Sequence, residues 1–337
     1  MSASHRPPHE ASGPPGVPLV IVGAGGFARE TAQAVRDVIA ADLAAGRPAR
    51  WRLAGHLDDN PALHGGEVDG APVLGGCDLV HDLPGARLLI CVGSPRDYAV
   101  RARLARRFAL PEQRYATLVH PTAAVSGSSV VGPGSVLLAH CVLTAAVRVG
   151  AHVAVMPHAV LTHDDVVADF ATIASGARLG GGARLERGAY VGSGALVREY
   201  ATVGAWSLIG MGGAVLGDVP PGEVWVGSPA RRLRAADAPA LAEIDRDTYD
   251  DGPHGEPADG AGTYDSAGPY GGAGTYSRAG DTYDSAHGHG TDGDGTHSNG
   301  HSDRDGRDVT GTGGGTPGND TIGTGPRPAP RMGSPVI

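Results

Sequence analysis

From His120 to Val215 the chain reads HPTAAV SGSSVV GPGSVL LAHCVL TAAVRV GAHVAV MPHAVL THDDVV ADFATI ASGARL GGGARL ERGAYV GSGALV REYATV GAWSLI GMGGAV, six-residue units with no insertion. The sixth residue of every unit is Val, Leu or Ile. If aliphatic residues filled about a quarter of positions at random, that run would arise with a probability on the order of one in a billion. The fourth residue is Ala, Ser, Cys or Gly, with Val147, Val153 and Asp165 the departures. No helical or two-residue period gives this spacing. A six-residue period belongs to a parallel β-helix in which three hexads make one coil. The aliphatic residue fills the prism, and the small one lets the chain turn close to it.

On either side the pattern changes. Residues 1–17 are rich in Pro, Ser and His and read as a loose leader. Residues 18–118 alternate apolar runs at Leu19–Val22, Trp51–Leu57, Leu88–Val92 and Tyr115–Val119 with helical stretches at Phe27–Ala45 and Arg96–Phe108. The second stretch carries Arg on its outer positions and Val100, Leu104 and Phe108 inside. Strands alternating with helices imply a parallel, Rossmann-like α/β unit. The β-helix is assigned to 119–234 and a disordered tail to 235–337. Residues 251–337 hold no Leu, Phe or Trp, 23 Gly, and five Arg against twelve acids. Such a segment cannot bury enough apolar surface to offset its ordering entropy. Its five His read as part of a solvated tail.

Composition narrows the function. Aromatic residues are 4% and Cys three, which excludes a disulfide scaffold. No run of eighteen apolar residues exists and no basic-then-apolar leader opens the chain, so neither a membrane span nor a signal peptide is expected, and a cytoplasmic location is. A net charge of −9 argues against a nucleic-acid binder.

Coils stack about 4.8 Å apart, so residues eighteen apart lie one above another. His140 and His158 are therefore neighbours, His152 lies on another side, and His120 opens the first coil. His163, in Leu161-Thr162-His163-Asp164-Asp165, has Ala145 below and Gly181 above. A His flanked by residues without bulk has room for a ligand, and an adjacent acid can hold its tautomer, as a general base requires. Asp165 is the charged residue at the small inward position, where a carboxylate is costly unless partnered; His163 is the expected partner. Cys141 sits at the same inward position and reads as packing.

In the first unit, Gly23-Ala24-Gly25-Gly26-Phe27-Ala28 follows a strand and opens a helix, the setting in which backbone amides meet a phosphate. Asp58 and Asp59 end the second strand, where a carboxylate can meet a ribose or base. The strand ending at Val92-Gly93-Ser94-Pro95-Arg96 adds a turn at the same edge, with Arg96 available to a phosphate. About 100 residues leave no room for a second mononucleotide half, which favours a mononucleotide-sized ligand over a dinucleotide.

The Gly-rich α/β unit, the uninterrupted hexads and the close Val219-Pro220-Pro221-Gly222 to Val226-Gly227-Ser228-Pro229-Ala230-Arg231 together resemble the hexapeptide-repeat sugar acyltransferases of the sialic acid O-acetyltransferase (NeuD) and PglD-like family, over roughly residues 18–234. The resemblance implies a left-handed β-helix, acetyl-CoA as acyl donor, no metal, and a homotrimer with active sites between subunits. It implies His163 as catalytic base, Asp164 as its orienting acid and Gly181 as a backbone donor to the thioester oxyanion. Gly25, Gly26, Asp58 and Asp59 match positions that hold the nucleotide of a UDP-sugar, with Gly93, Arg96 and Met156 completing the expected substrate site. Thr172, Gly192, Ser193, Gly210 and Met211 correspond to the acetyl-CoA groove. Three positions depart from the family pattern. Thr172 stands where UDP-aminosugar members have a second His, Met156-Pro157-His158 replaces Asn or Thr before the catalytic hexad, and Gly26-Phe27 replaces Gly-His. A different acceptor pocket follows.

The reading is thus an acyltransferase acting on an amino or hydroxyl group of a nucleotide-linked or free sugar by direct attack on the thioester. Two alternatives carry different signatures. A metalloenzyme similar to the γ-class carbonic anhydrases would use His158 and His163, with Thr122 where that family has a third His. A non-catalytic β-helical binding protein would retain the solenoid without the chemistry.

Overall fold

The computed structural model describes residues 16–250, with side chains to residue 246. The expectations for residues 1–15 and 251–337 lie outside the described residues.

The first unit is a five-stranded sheet of β1 (Val17–Val22), β2 (Trp51–Leu57), β3 (Glu67–Val68), β4 (Ala71–Gly75) and β5 (Arg87–Ile90), in the order β3-β4-β2-β1-β5. All pairs are parallel except β3-β4. Helix α1 (Gly26–Ala44) buries Ala28, Ala32, Val35 and Val38, spaced three or four apart on one face. It ends at Gly46, whose φ of +69° suits the left-handed turn after a helix. The C-terminal ends of β1, β2 and β5 bring the Gly-rich turn, Asp58-Asp59 and Gly93–Arg96 to one sheet edge. The short β3-β4 hairpin had no sequence signal strong enough to anticipate.

The repeat forms the left-handed parallel β-helix. Each hexad contributes a two-residue strand ending on its aliphatic residue, from Ala124–Val125 to Ala214–Val215. Strands pair in parallel with the strand eighteen residues on, Val142 with Val160 and Leu143 with Leu161 for example. Three faces result. The first runs from Ala124–Val125 to Ala214–Val215, the second from Val130–Val131 to Thr202–Val203, and the third from Leu118–Val119 through Leu208–Ile209 to Glu223–Val226 and Arg231–Ala235. The sixth-position aliphatics make one continuous core, closed at the far end by Val219 and Ala230.

Glycine has two uses in the coils. The left-handed residue is the third of the hexad, as at Gly134, His152, Asp164 and Trp206. Hexad-opening glycines instead allow coils to approach: a Cβ on Gly132 would lie 2.6 Å from the Gly150 carbonyl carbon.

Helix α2 (Val100–Phe108) packs Leu104 and Phe108 on the sheet, while Ala102, with Tyr98 and Ala99 ahead of it, meets Phe170 and Trp206 of the β-helix. The α/β unit therefore covers the third face. Two sequence readings change here. Arg101 is 3% exposed rather than outward, because α2 is covered on two sides. The chain also continues past Ala235 into helix α3 (Ala238–Asp250), whose Ala240 and Ile244 pack on the Tyr98–Trp206 cluster. Glu243 of α3 is 1% exposed and accepts from Arg106 at 2.5 and 2.6 Å. The tail-like composition is that of residues 251–337, and this helix lies ahead of it. No helix among the described residues is long and apolar enough to cross a membrane.

Candidate active site

His163 and Asp164 occupy the corner between the first and second faces. The third hexad position must turn left-handed, and Asp164 does so at φ +63°, a conformation Asp tolerates better than most residues. That turn brings Asp164 Oδ2 to 2.9 Å from His163 Nδ1. With Nδ1–H donating to the carboxylate, the Nε2 lone pair is left as the base. The ring lies directly on Gly181: a Cβ there would be 2.4 Å from His163 Cε1 and Nε2. The Gly181 N–H donates to no acceptor among the described residues. The His163 side chain is 59% exposed and that of Asp164 69%. The three expected catalytic residues are thus together on an open corner.

Asp165 is placed as expected but partnered otherwise. It is fully buried, and its carboxylate accepts from the Thr162 amide at 2.7 Å and the Ala183 amide at 2.9 Å rather than from His163. Burial pushes its carboxyl up to about 7 against those two amides.

The expected substrate residues collect at the edge of the α/β unit. Gly23, at φ +110°, is required by the fold, since a Cβ would meet the Cys91 carbonyl at 2.8 Å. Gly25 and Gly26 have nothing within 4 Å of such a Cβ, and their amides meet no protein acceptor among the described residues. Their smallness serves open space at the mouth of α1, as a ligand needs. Asp58 holds the turn by accepting from the Ala24 amide at 2.9 Å. Asp59 accepts from Arg107 at 2.7 Å, and this contact, with the Cys77 amide, holds its carboxyl below the usual range. Both carboxylates therefore already have protein partners. Arg96 is exposed in the Ser94–Asp97 turn.

A cleft runs from this edge along the third face of the β-helix, lined by Phe27, Gly93, Arg101, Met156, Tyr190 and Ser193 among others. Gly93 and Met156 meet there as expected. Phe27, Arg101 and Tyr190 were missed. Arg101 donates to the His152 carbonyl, to the Phe170 and Ala171 carbonyls and to Thr172 Oγ1. It faces no carboxylate in these contacts, and burial pushes its guanidinium down to about 10. Nothing in an Arg-rich helix distinguishes one buried Arg from its neighbours.

The residues assigned to the acyl-donor groove divide between cleft, corner and coil stacking. Thr172 is 7% exposed, with its hydroxyl held by Arg101, and lines the same cleft as Ser193. Ser193 lies in the cleft and Met211 is 81% exposed at the corner between the third and first faces. Gly192 and Gly210 are required by stacking, since added Cβ atoms would lie 2.6 Å from the Ile209 carbonyl oxygen and 2.8 Å from Val226 Cγ1. Any contact they make is through backbone.

The remaining histidines do other work. His140 and His158 stack at 5.0 Å on that exposed corner. His152 is buried between Tyr115 and Phe170, and burial, helped by Arg101, holds its ring down to about 4. Among the described residues no three His, Cys, Asp or Glu side chains gather as a metal site. Cys141 is fully buried and its thiol is pushed up to about 12 by burial, as packing predicts.

This combination, a Gly-rich α/β unit over one face of a β-helix with a His-Asp corner on another, resembles the hexapeptide-repeat sugar acetyltransferases. No protein-family profile matches the sequence. The likeness fits the NeuD and PglD-like group. The chain is 35% identical over 123 residues to UDP-N-acetylbacillosamine N-acetyltransferase of Bacillus subtilis (strain 168), 36% of this chain and 51% of that protein. The match spans about half the length of that curated relative. The structure resembles the acetyltransferase domain of PglB from Neisseria gonorrhoeae in complex with acetyl coenzyme A (28% identity, TM-score 0.54, 65% of this chain and 100% of that one). It also resembles a variant of perosamine N-acetyltransferase from Caulobacter crescentus in complex with CoA and GDP-perosamine (26% identity, TM-score 0.54, 64% and 96%).

Proposed function

We propose that this protein transfers an acetyl group from acetyl-CoA to an amino or hydroxyl group of a sugar carried on a nucleotide. The observation that carries the reading is the His163 ring, held by Asp164 at 2.9 Å and resting on the Gly181 backbone. The ligands of the solved relatives support acetyl-CoA as donor and a nucleotide sugar as acceptor. In the reaction His163 Nε2 takes the proton of the attacking amine or hydroxyl as it adds to the thioester carbonyl. The Gly181 amide stabilises the oxyanion. Collapse expels the CoA thiolate, which recovers the proton from His163. No acyl-enzyme is involved, and the buried Cys141 thiol is unsuited to form one.

The acceptor is read into the cleft, with its phosphates at Gly25, Gly26 and Arg96 and its sugar towards Phe27, Met156 and Tyr190. Ser193 and Met211 are left to meet the acyl donor. In a single chain the cleft lies on the third face, and the whole first face separates its corner from His163. One chain's cleft is therefore read as meeting another chain's His163, as in a homotrimer. The test is thiol release from acetyl-CoA against a panel of UDP- and GDP-linked amino sugars and sialic acids. Release with a nucleotide-linked amino sugar is expected; none with any acceptor would overturn the proposal.

A further inference from the structure

At hexads from His120 to Arg198 the first amide donates to the carbonyl seventeen residues on, as Thr144 to Leu161 and Gly180 to Val197. Thr162 breaks the series. Its amide turns inward to Asp165 Oδ2 at 2.7 Å, and its hydroxyl donates to the Leu179 carbonyl at 2.9 Å in place of the amide. The other Asp165 oxygen accepts from Ala183, which closes the corner carrying Gly181. One buried carboxylate thus ties the start of the His163 corner to the end of the Gly181 corner. Inward serines make only the vertical half of this link: Ser129 and Ser135 accept from the amides of Val147 and Val153.

The geometry points to Asp165 as a positioning residue that fixes His163 against the Gly181 amide, and in its ionised form alone. This rests on reading His163 as the base. Protonation turns one of the two oxygens into a hydroxyl, a weaker acceptor for the N–H it faces and a donor with no acceptor in this pair of contacts, so that contact loosens. Aliphatic residues of the core surround Asp165, and the charged groups acting on it are His163 and Asp164 of its own turn.

Asp165→Ala installs the commonest residue at that hexad position, and Asp165→Ser keeps the vertical link alone. Both are expected to fold and to lose about 10–100-fold in kcat, since small misplacements carry such costs, with KM changed less than about twofold. The acid limb of log kcat against pH should become less steep once the Asp165 deprotonation is removed. Stability gives a second readout. Between the ordinary Asp value of 3.8 and about 7 the folded chain keeps a proton that the unfolded chain has lost, so wild-type stability falls as pH rises through that window. The variants lack this fall, and their Tm advantage should grow from pH 5 to pH 8. Wild-type kcat and slope in folded Asp165→Ser, or a Tm difference independent of pH, would overturn the proposal. His163→Ala measured alongside separates the readings: unchanged turnover there removes the base, whereas lost turnover there with a wild-type Asp165→Ser removes only the positioning role.

Discussion

Three corners of one prism carry histidines, and their neighbours make them different groups. At His163 the residue above is Gly181 and the next residue is an acid, so the ring is exposed, oriented and free at one nitrogen. At His152 the residue above is Phe170, the ring is stacked at 5.1 Å, and burial keeps it neutral. At His140 and His158 two rings cover one another. The coil repeat is the same at all three, although His163 is the second residue of its hexad and the other histidines are the left-handed third. In a stacked fold, function depends on what stands eighteen residues away.

That contrast can be broken in graded steps. The largest effect is expected for His163→Ala, which should lower kcat by about 10²–10⁴-fold, the usual weight of acid–base catalysis, with the unfolding midpoint unchanged. A smaller loss, roughly 10–100-fold, is expected for Gly181→Ala, because its methyl would force the His163 ring aside. A ring that tolerated that methyl with full turnover would remove the contact as a functional one. The smallest effect on rate belongs to His152→Phe, which should leave turnover unchanged and alter only the response of stability to acid. His152 is neutral in the fold down to about 4 and protonates in the unfolded chain near 6.5, so it subtracts stability as pH falls through that window. Thermal unfolding at pH 7 and pH 4.5 should show the variant losing less on acidification.

The hexad period made the β-helix legible because interior filling and stacking act on every sixth residue. The same period puts Gly181 over His163, eighteen residues on. The partner of Asp165 was not legible, since amides carry no side-chain signature and the Thr162 hydroxyl substitution appears only when ladder bonds are traced. Arg101 was misread for a related reason. A helix covered on two sides has no outer face at that position, and the second cover came from residues 152–172, distant in sequence. Thr172 lies on the same covered face, where it meets Arg101 and lines the cleft. Helix α3 is held by Ala240 and Ile244 on the Tyr98–Trp206 cluster and by Glu243 on Arg106, contacts to residues distant in sequence that no repeat marks.

The ladder also acts as a ruler. Each face repeats at about 4.8 Å, so the height of any corner along the axis is set by whole turns of the chain. Removing eighteen residues between the α/β unit and His163 would keep every face in phase and lower the corner by one rung. Removing six would instead carry His163 round to a different side. Reach to an acceptor can therefore be adjusted in steps by deleting or duplicating coils, with the angular placement of the chemistry preserved.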